Sequence, residues 1–339
     1  MATPMIHAWQ VSWADDSGSV VRAYTYTVTE GRLTLDENWA PYIQAEVMFP
    51  IVGLVGVDFL DPRTDVRVNL TLTMTALGAS AAVASRSFNL GVRTREVDWI
   101  AGTVTLTLAS DEALMQDYRD LQHAAAVYGF GKLIYMVPAV IQTVLPAATV
   151  TFPTTLRPAD NAAISDVVYG TSTLWDVLAP WVTRAARRVW CDGARGWHYD
   201  DPATNLTASP MLLSVTDNLT SAVETLDRTG DWYDALGITY KLGDGTYLAF
   251  RTPAGYTRAG ALERETTEFV DYAEIDVIRA ASSHAGRQFP ITAVSDITAQ
   301  PGLPITLDRG IGAELTGYIS AVTFDCATDE MTIRPRDLA

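Results

Sequence analysis

Apolar and polar residues alternate with a period of two over most of the first third of the chain. In VVRAYTYTVTEGRLTL, Val21, Ala23, Tyr26, Val28 and Leu33 sit among Arg, Thr and Glu. In DVRVNLTLTMTAL, Val66, Val68, Leu70, Leu72 and Met74 alternate with Arg67, Asn69, Thr71 and Thr73. In TREVDWIAGTVTLTLAS, Thr103, Thr105 and Thr107 share one face, and Val104, Leu106 and Leu108 the other. A period of two places successive side chains on opposite faces of a strand. Asp15-Asp16-Ser17-Gly18 and Glu30-Gly31 are turn signals between such runs. LTLDENWAPYIQAEVMF reads as one strand leading towards a turn at Asp61-Pro62-Arg63. Strands at this density predict an antiparallel barrel or sandwich.

The pattern then changes. Ser110 suits a helix cap, and Asp111 and Glu112 suit the positive end of a helix dipole. Leu114, Tyr118, Leu121 and Ala125 mark one helical face, and Gly129 ends the run. Residues 130–163 are punctuated by proline and read as extended strands and arms. A second helix is predicted over Ser172 to Arg187, with Leu174, Trp175, Leu178 and Trp181 on one side. It leads to a hairpin, Arg188 to Cys191 and Gly196 to Tyr199, around Asp192-Gly193. The last third returns to strands, with turns at Gly243-Asp244-Gly245 and Ala327-Thr328-Asp329. Helical portions are expected between Thr267 and Ser295, including IDVIRAASSHAGRQ.

Composition narrows the function. The 339 residues are 48% hydrophobic and 19% charged, which supplies ample core and argues against disorder. Such a length suits two or three domains. The formal net charge is −16. Gripping nucleic acid rests on Lys and Arg neutralising phosphates, so a strongly acidic chain is a poor scaffold for it. Cys191 and Cys326 form neither a metal-ligand spacing nor a disulfide framework. The first residues lack the basic and apolar regions of a signal peptide. The most apolar window, Leu133 to Val150, is interrupted by Pro138, Gln142 and Pro146, which argues against a membrane helix.

Candidate chemistry is sparse. Gly131-Lys132 lacks the other positions of a phosphate-binding loop. His7, His123, His198 and His284 stand apart in sequence, without zinc-ligand spacing. His198 is followed by Tyr199, Asp200 and Asp201, where a divalent-ion site competes with an ordinary turn at Asp200-Asp201-Pro202, and the turn is favoured. No nucleophile elbow occurs, and Cys191 reads as a buried, inert thiol. Acidic pairs such as Asp15-Asp16 and Asp329-Glu330 read as solvated surface. Trp39, Pro41 and Tyr42 follow Asp36-Glu37-Asn38, which leaves two readings open: a recognition loop, or aromatic packing that closes a barrel.

Three blocks carry a resemblance. They are GRLTLDENWAPYIQAEVMFPIVGLVGVDFL with the following DPR, then TLWDVLAPWVTRAARRVWCDGARGWHY, then PGLPITLDRGIGAELTGYISAVTFDCATDEMTIRPRDL. In this order the chain resembles tail-hub, baseplate-hub-like minor tail proteins of long-tailed, siphovirus-type bacteriophages of actinobacterial hosts. The resemblance implies a mainly β fold of two tube-type antiparallel β-barrel domains plus a mixed α/β insert, divided as 1–115, 116–205 and 206–339. It implies a homotrimer whose barrels form a pseudo-sixfold ring at the virion tail tip, assembled in the host cytoplasm. That ring joins a hexameric tail tube to a trimeric tip and lets DNA pass in transit, without specific binding. Implied partners are a distal tail protein ring, the tape-measure protein C-terminus, and other minor tail or central fibre proteins. No catalytic residue, cofactor, metal or stable membrane association is expected, and cell-wall cleavage falls to neighbours. Trp39, Tyr42, Arg63 and Arg67 are candidate interface residues. Candidate lumen acids are Asp58, Asp65, Glu96 and Asp98 in the first barrel, and Asp308, Glu314 and Asp325 in the second. The alternative is a receptor-binding, carbohydrate-binding or depolymerising tail protein. A secreted adhesin is a third reading, which the missing signal peptide disfavours.

Overall fold

A computed structural model describes residues 5–15, 22–51, 57–76, 82–121, 126–161, 163–164, 167–202, 204–226, 232–242, 245–265, 275–276, 278–279, 282 and 287–338. The expected turn residues at 16–18 and 243–244 lie outside these, as do most of residues 267–286; of the helical portions expected between Thr267 and Ser295, the described Arg287–Gln288 and Ile291–Val294 are instead strands, paired in the β-sheets. The fold is mainly β, with 48% strand and 15% helix.

The first lobe contains β1 (Met5–Asp15), β2 (Arg22–Thr27), β3 (Glu30–Asp36), β4 (Ile43–Pro50), β5 (Arg67–Ala76), β6 (Ala82–Asp98) and β7 (Thr103–Ala109). The strands follow the period-two pattern, except that β6 buries Leu90, Gly91 and Val92 in succession at a bulge. On β4, Ile43, Ala45, Val47 and Phe49 are buried, and Gln44, Glu46 and Met48 lie on the other face. The run read as a single strand from Leu33 to Phe49 is in fact the hairpin β3–β4, with Leu35 opposite Ile43. The Asp36 amide donates to Tyr42 O at 3.1 Å, which closes the loop. The turn at Asp61-Pro62-Arg63 is present: the Arg63 amide donates to Asp61 Oδ1 at 2.9 Å.

The insert holds α1 (Glu112–Asp117), β8 (Val127–Tyr128), α2 (Leu133–Val144), β9 (Val150–Thr151), β10 (Val167–Val168), α3 (Leu174–Arg184), β11 (Arg188–Cys191) and β12 (Trp197–Asp200). Two helical expectations need correction. Helix α1 stops at Asp117, well short of Gly129, and Tyr118 is extended. Ser110 does not cap it: its hydroxyl accepts from the Ile43 amide at 3.1 Å, a tertiary bond. Residues 133–144, expected to be extended, form a helix with Pro138 inside. Proline removes one backbone bond, at a cost of about 3 kcal/mol. Leu133, Met136, Val137, Val140 and Ile141 recur at helical spacing and are all buried, and that burial outweighs the loss. Helix α3 matches its sequence: Thr173 and Asp176 form a capping box.

The remaining elements are β13 (Met211–Ser214), β14 (Leu219–Ala222), β15 (Thr225–Leu226), β16 (Ala235–Leu242), β17 (Gly245–Arg251), β18 (Ala259–Glu265), β19 (Arg287–Gln288), β20 (Ile291–Val294), β21 (Pro304–Asp308), β22 (Leu315–Asp325) and β23 (Glu330–Arg336). Strands β16–β18 form a separate three-stranded sheet. The others of the second lobe, apart from the short pair β15 and β19, join the first lobe. One 13-stranded sheet runs β14-β20-β23-β22-β3-β4-β7-β6-β5-β1-β2, with β13 and β21 attached beside β22. The lobes meet where β22 pairs with β3 in antiparallel register, Thr323 opposite Thr34 and Phe324 opposite Leu33. One buried cluster runs through both, including Leu33, Val47 and Leu106 with Val322, Phe324, Met331 and Ile333. The insert has its own core around Met136, Leu178, Trp197 and Tyr199.

Candidate assembly site

The β3–β4 loop, Asp36 to Tyr42, is where the first lobe, the second lobe and the insert converge. Asp36 is buried and accepts from Arg334 of β23 at 2.7 Å. The Glu37 amide donates to Ser320 O at 3.1 Å, and Asn38 Nδ2 donates to Ser320 Oγ at 3.2 Å. Arg336 Nε lies 2.9 Å from Glu37 Oε1. Burial pushes the Glu37 carboxyl up, although Arg336 and Arg188 oppose it. From the insert side, Gln116 donates to Ala40 O at 2.8 Å. The Ala40-Pro41 peptide bond is cis.

Aromatic packing completes the junction. The Tyr42 ring lies 4.5 Å from Trp190, which stacks on His198 at 4.3 Å. The Arg188 guanidinium sits 4.8 Å from the Trp190 centroid and also bonds Asp200 at 2.9 Å. His198 Nε2 contacts Asp192 Oδ2 at 2.9 Å, not the carboxylates that follow His198 in sequence. Asp192 Oδ1 also accepts from the Ala194 and Gly196 amides and so shapes the hairpin loop, which is wider than a two-residue turn. That loop is bound to the first lobe: the Asn89 amide donates to Gly193 O at 2.7 Å.

Below this lies a charged cluster. Asp111 accepts from both Arg67 and Arg195 and is almost fully buried. Its neighbour Glu112 is 0% exposed, and its Oε1 accepts from the Tyr42 amide at 3.2 Å and the Cys191 amide at 2.8 Å. Desolvation pushes the Glu112 carboxyl up to about 7. Burial also raises the Cys191 thiol, which suits an inert residue. Deeper in the insert, buried Arg187 bonds buried Asp160 at 2.7 Å, and Tyr199 donates to Asp160 at 2.6 Å. Burial drives the Asp160 carboxyl up, but Arg187, Tyr199 and the Arg157 amide outweigh it and hold it low. Asp201 takes both Arg157 and Arg187 and is thus committed to this network.

The four candidate interface residues separate. Trp39 is 49% exposed at the tip of the junction loop. Tyr42 is 5% exposed and packed inside the chain, so its contact is with the insert, and it offers no free surface to another copy. Arg67 is likewise engaged internally, with Asp111 and Asn89. Arg63 is exposed and holds Asp61 down at about 2 through side-chain hydrogen bonds. Among the candidate acids, Asp58, Asp65, Glu96, Asp98 and Glu314 are exposed. Asp98 caps the β6–β7 turn through the Ile100 and Ala101 amides, both at 2.8 Å. Asp308 accepts from Ser214 and from the Gly310 amide, and Asp325 from the Ala327 and Thr328 amides. The buried acids Asp111, Glu112 and Asp160 were missed as tertiary partners. For Asp111 and Glu112 the only sequence signal was a helix start.

Among the described residues, no three His, Cys, Asp or Glu side chains converge as a metal site. No described helix is long and apolar enough to cross a membrane.

No family model and no curated protein matches the chain. Solved structures do. The tail protein from Neisseria meningitidis MC58 superposes with a TM-score of 0.66 at 11% identity, covering 98% of this chain and 96% of that one. The 43 kDa tail protein of prophage MuSo2 from Shewanella oneidensis gives 0.60 at 13% identity, covering 98% of both. Prophage tail protein gp18 from Listeria monocytogenes EGD-e gives 0.61 at 10% identity, covering 96% and 94%. With two β lobes on one sheet and a helical insert docked at their junction, this chain has, over nearly its whole length, the fold of these phage tail proteins.

Proposed function

We propose that the chain is a structural virion protein, a tail hub that assembles as a homotrimeric ring at the tail tip and lets DNA pass. Its divisions 1–115, 116–205 and 206–339 then act as barrel, insert and barrel. Its neighbours are a distal tail ring, the tape-measure C-terminus and further tip proteins. The fold likeness supports a tail component. The observation that carries the hub reading is the open face of the continuous sheet.

That face is polar across both lobes. Register places Thr94, Thr107, Glu46, Arg32, Asp325 and Glu330 side by side over six adjacent strands. The next row is Gln44, Thr34, Thr323, Thr332 and Thr292. Glu96 and Asp98 continue the face on β6, opposite Thr105 and Thr103. Hydroxyls and carboxylates dominate these rows; Arg32 is their one cation, and Arg334, one row on along β23, is paired with Asp36. A wall of this kind repels phosphate instead of holding it by counterion release. Glu96, Asp98 and Asp325 are therefore the candidate acids we assign to the passage. Asp58 sits in a short 3-10 helix over Val57–Phe59, Asp65 and Glu314 in loops, and Asp308 at a strand end.

Native mass measurement of the purified chain tests the ring. Three copies are expected, and a twofold dimer or a persistent monomer overturns it. The wall is tested by Glu46→Lys with Thr323→Lys. The double variant should keep the oligomer and retain duplex DNA in a mobility-shift assay at physiological salt, where the parent chain does not. Equal retention by both would remove this face from the passage.

A further inference from the structure

The two lobes repeat one strand arrangement. In the first, β5, β6, β7, β4 and β3 pair in that order, and in the second β21, β22, β23, β20 and β14 do. The repeat reaches single residues. Asp98 stands opposite Thr103 and Asp325 opposite Glu330, and each aspartate accepts from the amides two and three residues on. Each long strand bulges at the matching place, between Val92 and Thr94 on β6 and between Ile319 and Ala321 on β22. Gly102 and Asp329 match too, with φ of +68 and +57. Residues 94–98 thus correspond to 321–325. On the neighbouring strands, Ala222 opposite Ile291, Thr225 opposite Gln288 and Leu226 opposite Arg287 correspond to Gly31 opposite Val47, Thr34 opposite Gln44 and Leu35 opposite Ile43. One contact is not repeated. The outer edge of 321–325 pairs with 32–36 of β3. Among the described residues, 94–98 pair only with β7, and β14 and β15 only with β20 and β19. Leu35 is 0% exposed, whereas Leu226 in the matching place is 73% exposed, and Val223 is 59% exposed.

Open strand edges are templates for pairing with another chain. We propose that residues 94–98 of one copy pair antiparallel with residues 223–226 of the next, repeating between chains the joint that β22 and β3 make within one. A second copy is the occupant because each edge is half of a joint whose complementary half this same chain carries. The repeat sets the register: Asp98 opposite Val223, Val97 opposite Glu224, Glu96 opposite Thr225 and Arg95 opposite Leu226. On the face that the internal joint buries, Arg95 then lies diagonal to Glu224 and Val97 diagonal to Leu226, within reach for a charge pair and an apolar pair. Arg95 gives one donor to Val57 O, and a guanidinium carries others. The two edges are unlike and meet head to tail, so the contact is heterologous and closes by rotation into a ring. That closure rests on the hub reading, while the strand joint itself involves no DNA.

Oxidative cross-linking of the full chain tests the joint, in a Cys326→Ser background that leaves only the buried Cys191. At the internal joint the Thr34 and Thr323 hydroxyls lie 3.0 Å apart. The matching pair between copies is Thr225 and Glu96, close enough for a disulfide. Glu96→Cys with Thr225→Cys should therefore link copies on mild oxidation, read on a non-reducing gel. Each single variant should stay unlinked, and a mixture of the two singles should give one linked pair. No link in the double variant overturns the joint. So does self-linking of Glu96→Cys, which would mean twofold pairing of like edges. Native mass of the parent chain keeps the two readings apart. Trimers without the 96–225 link overturn the joint and leave the ring standing; monomers without it overturn both. A link between copies that form no closed trimer supports the joint and overturns the ring. Leu226→Asp gives a second readout at a position exposed in the monomer. It should leave the thermal midpoint of the monomer in place and weaken association about tenfold or more. Unchanged association overturns the joint.

Discussion

At the scale of single residues, the junction loop places two aromatics of one sequence block in opposite circumstances. Trp39 keeps 49% of its surface exposed, whereas Tyr42 is buried against Trp190. Tyr42→Ala should cost about 3–5 kcal/mol in a urea titration, as expected for a buried aromatic truncated in a packed site. Trp39→Ser should change the stability of the monomer by no more than about 0.5 kcal/mol. It should weaken the proposed ring instead, because tryptophans are typical interface anchors. Sedimentation measured beside the urea titration separates the two effects. The buried Asp160 makes a third case. Asp160→Ala removes the buried one of the two carboxylates that Arg187 binds, leaves the Tyr199 hydroxyl without its acceptor, and should destabilise the insert by about 3–5 kcal/mol. Pairing it with Arg187→Met should recover part of that loss, read by the same titration.

At the scale of elements, strand alternation and the Asp61-Pro62-Arg63 turn were the most legible features. Thr173 ahead of Leu174, with Asp176 three residues on, is a local signature, and the structure contains both reciprocal bonds. Thr173→Ala should cost about 1 kcal/mol and lower the thermal midpoint of the insert. Pro301-Gly302 behaves differently. Gly302 has φ +85, and a Cβ there would collide with the Thr204 carbonyl oxygen. Gly302→Ala is thus strained in backbone and in space, and a loss of about 2 kcal/mol or more is expected on calorimetry. The two helical misreadings share a cause. Helix α1 stops at Asp117, where Tyr118 turns extended and its carbonyl accepts a tertiary bond from the Leu174 amide at the start of α3. Helix α2 forms despite Pro138 because it fills the insert core. Propensity is a weak prior, and burial overrides it.

At the scale of the whole molecule, the shared core across β3 and β22 makes the two lobes one cooperative unit, while the insert has a core of its own. Hydrogen exchange should show both lobes opening with one free energy and the insert with another. The polar ties reinforce this union: Arg86 donates to Ala299 O at 2.9 Å, and Arg334 to Asp36 at 2.7 Å. What the sequence by itself determined were features set within a few residues. These include the alternation of the strands, the Asp61-Pro62-Arg63 turn, the existence of helix α3, the acidic balance and the mainly β class. The resemblance of three ordered blocks pointed to the tail fold. Only the tertiary structure decided which side of the Asp36–Tyr42 loop is exposed and that the lobes fuse into one sheet. It also decided where the acids lie: Glu112 beside Cys191, 79 positions away, and Asp36 under Arg334, 298 positions away. The physical reason is range. Periodicity and capping are written in neighbours along the chain, whereas strand pairing, burial and the ionisation of a buried carboxyl depend on residues that only folding brings together.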